Sequence, residues 1–274
     1  MNPRVSPLVA LVSMLTAAVA AAAPPPIDTS GFRDSAHHWR NINQPERIMQ
    51  ALPEQPAYAP TQVREIADNL LLFQRANGGW PKDYDMLAVL TEAQKKLIRD
   101  TRANTDTSYD NHTTHAQVAY LARAAAATGE AAYRAACVRG LEFMLASQYP
   151  NGGFPQWWPK AGTIAKRITF NDGVMMGIMN VLKDAADSAP HFAWLDGAVR
   201  TRMAEAVARG TDCLLRAQVR GEGGPTGWGQ QHDEKSLETV GARTFELPCV
   251  SPADTTEIVR FLMRAEKPSR EIVR

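Results

Sequence analysis

The feature that most restricts the fold is a repeat. RGLEFMLASQ at residues 139–148 and RGTDCLLRAQ at residues 209–218 align without a gap, and each runs into a glycine-rich loop. A second pattern overlaps it. In FQRANGGWPKDYD (73–85) and ASQYPNGGFPQWWPK (146–160) a helix-like run ends at a glutamine, Gln74 or Gln148. Asn-Gly-Gly, an aromatic residue, proline and a polar residue then follow. A period of two helices plus a loop describes a stack of helical hairpins. Apolar periodicity predicts helices over residues 61–75, 112–128, 130–148, 173–188, 195–219 and 255–264, with a shorter one over 91–102. Alternating β-branched runs are nearly absent, so the expected class is all-α.

The connections are unequal. Those within hairpins are short, at 127–131 and 189–194, and those between hairpins are long, at 76–111, 149–172 and 220–254. Because paired helices run antiparallel, all the long loops must emerge on one rim. Long loops in a compact domain are usually functional or disordered. Their tryptophans, tyrosines and turn glycines argue against disorder.

The rest of the chain bounds its class. Residues 1–22 read as a secretory signal peptide: Arg4 gives a positive start, residues 8–19 an apolar core, and an alanine run a cleavage site near Ala22. Export to the periplasm or the medium is expected. Residues 23–60 are proline-rich without sustained periodicity and read as a linker or loosely attached arm, leaving 61–274 as the main domain. The three cysteines allow at most one internal bridge, and Cys137 and Cys213 fall within helical patterns, so this is no disulfide scaffold. A formal net charge of +1 gives no basic field for nucleic acid and no acidic bias towards disorder. No membrane association is expected once the leader is cut, and a monomer is expected.

Two long loops end in TDTSYDNHTTH and RITFNDGVMM, placing Asp110 and Asp172 at equivalent helix starts. N-capping is the plain reading of each. Together with Asn111, Asn171 and Asp106 they form a set of hard oxygen donors better suited to Ca²⁺ than to a transition metal. His112 and His115 have a zinc-compatible spacing but lack the glutamate of a zinc-binding helix pattern. His232 is a better candidate for the rim. Lys82, Lys160, Lys166, Arg167 and Arg243 add positive charge to the loops. Trp80, Tyr84, Tyr109, Phe154, Trp157, Trp158 and Trp228 are loop-borne, and about half are expected to pack between loops rather than face a ligand. Aromatic platforms, cations and a calcium site together suit an anionic carbohydrate.

Five segments carry a resemblance: NGGWPK (77–82), YDNHTT (109–114), QYPNGGFPQ (148–156), ITFNDGVM (168–175) and QQHDEKSLETVGARTFELP (230–248). They occur in the order seen in polysaccharide lyase family 10, the pectate lyases with an (α/α) toroid, which the chain resembles from about residue 64 onward. The resemblance implies calcium-assisted β-elimination on polygalacturonate. By motif it assigns proton removal to Arg243, calcium binding to Asp172, and a second essential acidic position to Asp110, which would also face the metal. It places Asn111 and Lys82 against the substrate, and Trp80 and His232 on the same rim complete the expected substrate-binding set. The sequence departs from the family pattern in having NGGF for NGGW in the second loop. It also ends at PSREIVR, where the family continues with another helix and a further substrate-binding arginine. The last hairpin is therefore expected to be incomplete, with an apolar face of residues 255–264 uncovered and activity weak or absent.

Two enzymatic alternatives and one binding alternative stand beside this reading. An (α/α)-toroid glycoside hydrolase would use Asp110 and Asp172 as its carboxylate pair. A non-catalytic uronate-binding protein would keep the cleft without turnover. A helical-hairpin terpene cyclase fits least, because such enzymes lack a cationic rim and an export signal.

Overall fold

The structure is a computed structural model describing residues 24–159, 162 and 164–273. The proposed leader and Lys160 lie outside the described residues. Helices dominate: α1 (Arg33–Asn41), α2 (Val63–Phe73), α3 (Glu92–Asp100), α4 (His115–Thr128), α5 (Ala131–Ser147), α6 (Val174–Ala186), α7 (Gly197–Ala217), α8 (Pro252–Leu262) and α9 (Arg270–Val273). They build an (α/α) toroid. α4 pairs with α5 and α6 with α7 as hairpins, while α2, α4, α6 and α8 contact one another in succession. The alanine-rich α4 and methionine-rich α6 bury most of their residues; α4 has little polar surface and α6 keeps only a narrow polar stripe, Asn180, Lys183 and Asp184, as a packed inner helix requires. Gly129, left-handed at φ 74°, closes α4 and makes the short turn into α5.

The repeat is a locking device between hairpins. Gln74 at the end of α2 donates from Nε2 to the carbonyls of Gly78 and Ala136, and its Oε1 accepts from Arg139. One repeat later Gln148 donates to Gly152 and Ala206 and accepts from Arg209. The first glycine of each Asn-Gly-Gly, at φ 98° in Gly78 and 93° in Gly152, lies against the backbone of Arg139 or Arg209, where a Cβ would come within 2.4 and 2.0 Å of the carbonyl oxygen. Arginine, glutamine and the two loop glycines therefore recur together because each hairpin is bolted to the previous one through them.

The proline-rich segment expected to be a linker is packed into the domain instead. Phe32, Trp39 and Met49 are buried, Trp39 Nε1 donates to Met49 O at 3.2 Å, and Arg40 Nε reaches Asp85 at 2.7 Å. With only nine residues in α1, its periodicity is too brief to stand out beside so many prolines.

The long loops do share one rim, and short extended pairings sew them together. Pro81 pairs with Thr107, Ser108 with Trp157, and Pro155 with Ile168, all antiparallel. Ile168–Thr169 then pairs with Gln231–His232, which pairs with Thr239–Val240. These pieces are too short to show alternation in sequence. They fix the loops rigidly enough to carry a site.

Candidate active site

Two short 3-10 turns, Asp110–His112 and Asn171–Gly173, precede α4 and α6 and touch each other. Neither aspartate caps the following helix through its side chain. Both face a cleft of about 470 Å³ bounded by Lys82, Asp110, Asn111, Asp172, Arg243 and Glu246. Residues from three remote loops are thus brought to one opening.

Within it Lys82 Nζ lies 2.5 Å from Asp110 Oδ2 and 3.6 Å from Asp83 Oδ2. Burial acts against the Lys82 charge, but Asp110 and Asp83 outweigh it and hold the ammonium above its usual pKa. Lys82 also stands 5.3 Å over the Trp157 ring. Asp110 accepts a further bond from Gln156 Nε2 at 2.9 Å, and Asn111 Nδ2 donates to Asp83 Oδ1 at 2.7 Å. Asp172 is different. Burial, then the charges of Asp110 and Asp34, push its carboxyl above the ordinary range, although Asn171 Nδ2 donates to it at 2.6 Å.

Asp172 therefore carries an under-compensated negative charge. Beside it the side-chain oxygens of Asn171 and Gln231 are buried without partners. Carboxylate and amide oxygens are the donors a hard cation takes, so these residues fit calcium. Among the described residues no group of three or more His, Cys, Asp or Glu side chains is placed to hold a metal. A cation here would complete its shell with substrate oxygens and water.

Arg243 reaches the cleft on a loop following Thr239–Val240 and is largely exposed. Its Nε donates to Glu246 Oε2 at 2.9 Å and its guanidinium lies 4.8 Å over the Phe245 ring. The bonds from Arg243 pull the Glu246 carboxyl down to about 2, and Glu246 in turn raises the Arg243 pKa.

Several expected residues lie elsewhere. Trp80 is fully buried and donates from Nε1 to Leu70 O at 2.8 Å; Trp228 repeats this with Leu214 O at 2.7 Å. Phe154 fills the matching place in the second loop, also fully buried. The Asn-Gly-Gly aromatic is a plug under the loop rather than a sugar platform, which corrects the substrate-binding expectation for Trp80. His232 is corrected likewise. It is fully buried, takes a bond at Nε2 from Gly229 N–H, and bonds Leu237 O through Nδ1 at 2.8 Å, so it latches its loop. Burial lowers its pKa. Asp106 is drawn away to the buried Arg75, and Lys166 pairs with Glu234. His115 is buried against Gly177, and burial together with His112 lowers its pKa to about 3.

Asp34 and His38 of α1, Gln156 and Glu246 also line the cleft, and the sequence reading missed them. The i, i+4 spacing of Asp34 and His38 in RDSAHHWRN was the available signal.

A family model described as pectic acid lyase matches residues 74–274. Among solved structures, an aspartate-to-alanine mutant of a family 10 polysaccharide lyase from Cellvibrio cellulosa, in complex with trigalacturonic acid, is 31% identical with a TM-score of 0.70. That match covers 77% of this chain and 64% of the other, so this chain spans less than two thirds of that structure. A family 10 polysaccharide lyase from the same organism is 29% identical, with a TM-score of 0.66, over 82% of this chain and 69% of the other. No curated protein matches.

Proposed function

The chain belongs to the pectic acid lyase family, and on that premise we propose that it is a pectate lyase cleaving polygalacturonate by calcium-assisted β-elimination. One observation carries the reading: Lys82, Asp110, Asn111, Asp172 and Arg243 line a single cleft although they come from three separate loops. The ligand of a related structure, trigalacturonic acid, is an acidic sugar of the kind this charge pattern suits.

The C5 proton of a uronate is only weakly acidic, so charge must be drawn into the adjacent carboxylate as the C5–H bond breaks. Lys82, kept cationic by Asp110 and Asp83, is positioned to pair with that carboxylate. Asp110 and Asp172, with the Asn171 oxygen, would hold the cation, and bound Ca²⁺ supplies Lewis-acid withdrawal of carboxylate charge. Asn111 orients the sugar from its left-handed turn. Arg243 takes the C5 proton while the C4–O bond breaks and a C4–C5 double bond forms; the departing oxygen takes a proton from solvent, to which Arg243 returns the one it removed. A guanidinium stays charged in water. The role therefore requires Arg243 to leave Glu246 and to meet substrate in a cleft from which water is excluded.

The enzyme would act as a monomer on a polymer outside the cell, in keeping with the leader pattern of residues 1–22. Among the described residues no helix is long and apolar enough to cross a membrane. Incubation with polygalacturonate tests the reading: unsaturated, ultraviolet-absorbing ends are expected, even at a low rate, and none should form under chelation. New reducing ends without that absorbance would indicate hydrolysis and overturn it, and binding without turnover would indicate a uronate-binding protein.

A further inference from the structure

We propose that α1 is a wall of the substrate cleft and that His38 on it is a sugar-binding residue, an inference that rests on the lyase reading. The helix precedes residue 74, where the family match begins. It is nonetheless fixed to the catalytic turn. Ser35 Oγ donates to Asn111 O at 3.0 Å and lies 3.1 Å from Thr113 Oγ1, while Arg40 ties the far side of the helix to Asp85 at 2.7 Å. Phe32 and Trp39 seat α1 in the core. Asp34 and His38, one turn apart, are thereby held at the edge of the cleft that contains Asp110 and Asp172.

His38 has hydrogen-bonding capacity to spend. Its Nδ1 is buried and faces Asp83 Oδ1 at 3.5 Å, which leaves Nε2, 3.8 Å from Asp34 Oδ1 and in no hydrogen bond, as the nitrogen open to a ligand. Unspent polar groups at the wall of a solvent-filled cleft are suited to the hydroxyls and ring oxygens of a sugar. The same wall extends further. Residues 44 and 46–48, just beyond α1, line a second depression of about 410 Å³ that shares Lys82 and adds Trp157. A polymer passing Lys82 would run along the N-terminal segment for more than one sugar.

Calorimetric titration of the whole chain with trigalacturonate, in calcium-containing buffer, tests this. Loss of one hydrogen bond in His38→Ala should raise Kd about five-fold. His38→Gln, which keeps a polar amide there, should recover most of the affinity. His37→Ala, altering the exposed neighbouring histidine, should bind as wild type, and all three should melt as wild type. Wild-type affinity in His38→Ala would overturn the inference and leave the lyase reading intact. Equal weakening in all three variants would also overturn it, by showing that α1 acts only through its docking. A wild-type protein that binds no trigalacturonate would bring down both.

Discussion

Asn111 and Asp172 occupy the same place in two successive 3-10 turns, each left-handed, at φ 52° and 55°. Sequence order suggests that Asp110 and Asp172 are counterparts, but the backbone pairs Asn111 with Asp172 and Asp110 with Asn171. Amide and carboxylate have exchanged places between repeats. Each left-handed position carries Asn or Asp, the non-glycine residues that enter this region most readily. Asp172→Asn should therefore fold normally and lose the calcium response of activity. Asp172→Ala should lose it too and add about 1–2 kcal/mol of backbone strain. Chelator titration of activity, together with thermal melts, separates the two effects.

The raised pKa of Asp172 gives a pH signature. Because the folded-state pKa lies above the unfolded one, its stabilising contribution is complete below the ordinary aspartate pKa, near 3.9, and is lost as pH rises through the shifted value. At neutral pH the ionised group costs stability, first from burial and then from Asp110 and Asp34. Metal-free Asp172→Asn should melt above wild type at pH 7, with the difference vanishing at low pH. Added calcium should raise the wild-type midpoint and leave the variant unmoved.

Among the described residues Lys82 is the only cation bonded to Asp110, whose remaining side-chain partner there is Gln156. Lys82→Met would leave that nearly buried carboxylate unpaired, and breaking such a pair costs on the order of 1–3 kcal/mol here, below the fully buried case because Lys82 keeps some exposure. Substrate affinity should fall alongside stability. Double variation with Asp110→Asn should restore stability but not activity.

Trp80 gives the opposite pattern. Trp80→Phe removes the bond to Leu70 O and should cost about 1–3 kcal/mol, while Trp80→Ala should cost about 3–5 kcal/mol. KM for polygalacturonate should stay at its wild-type value in any Trp80 variant that remains folded, as expected for a plug beneath the loop.

The toroid was legible because it is written in local patterns: helical periods, a glutamine ending each hairpin, and glycines that only a close backbone approach demands. Asp110, Asp172, Lys82 and Arg243 were legible because long connections between antiparallel helices have one rim to occupy. Trp80 and His232 were misread because a loop aromatic and a loop histidine look the same in sequence whether they face a ligand or turn inward. The direction is set by Leu70 and Leu237, whose carbonyls they bond, and no spacing announces those partners. Asp34 and His38 were missed for a different reason. A helix of nine residues amid prolines has too few turns to display a period.

Arg243 and Glu246 supply the last test. Arg243 is exposed and Glu246 only partly buried, so the pair adds little to stability and its consequence should be kinetic. Glu246, depressed to about 2, keeps its contribution above the ordinary glutamate range and loses it only as pH falls through that value, so it is charged at every working pH. A permanently charged partner favours protonated Arg243, the form that cannot accept a proton. Glu246→Gln should therefore shift the rising alkaline limb of the kcat/KM profile, which reports the free enzyme, to lower pH, by less than about one unit because solvent screens the pair, with an unchanged melt. Arg243→Lys should bind trigalacturonate but lose roughly 10²–10⁴-fold in kcat. If Glu246→Gln instead lowered kcat at every pH without moving the limb, Glu246 would be orienting Arg243 rather than restraining it, and the proton-transfer role would require a geometry in which the two remain in contact.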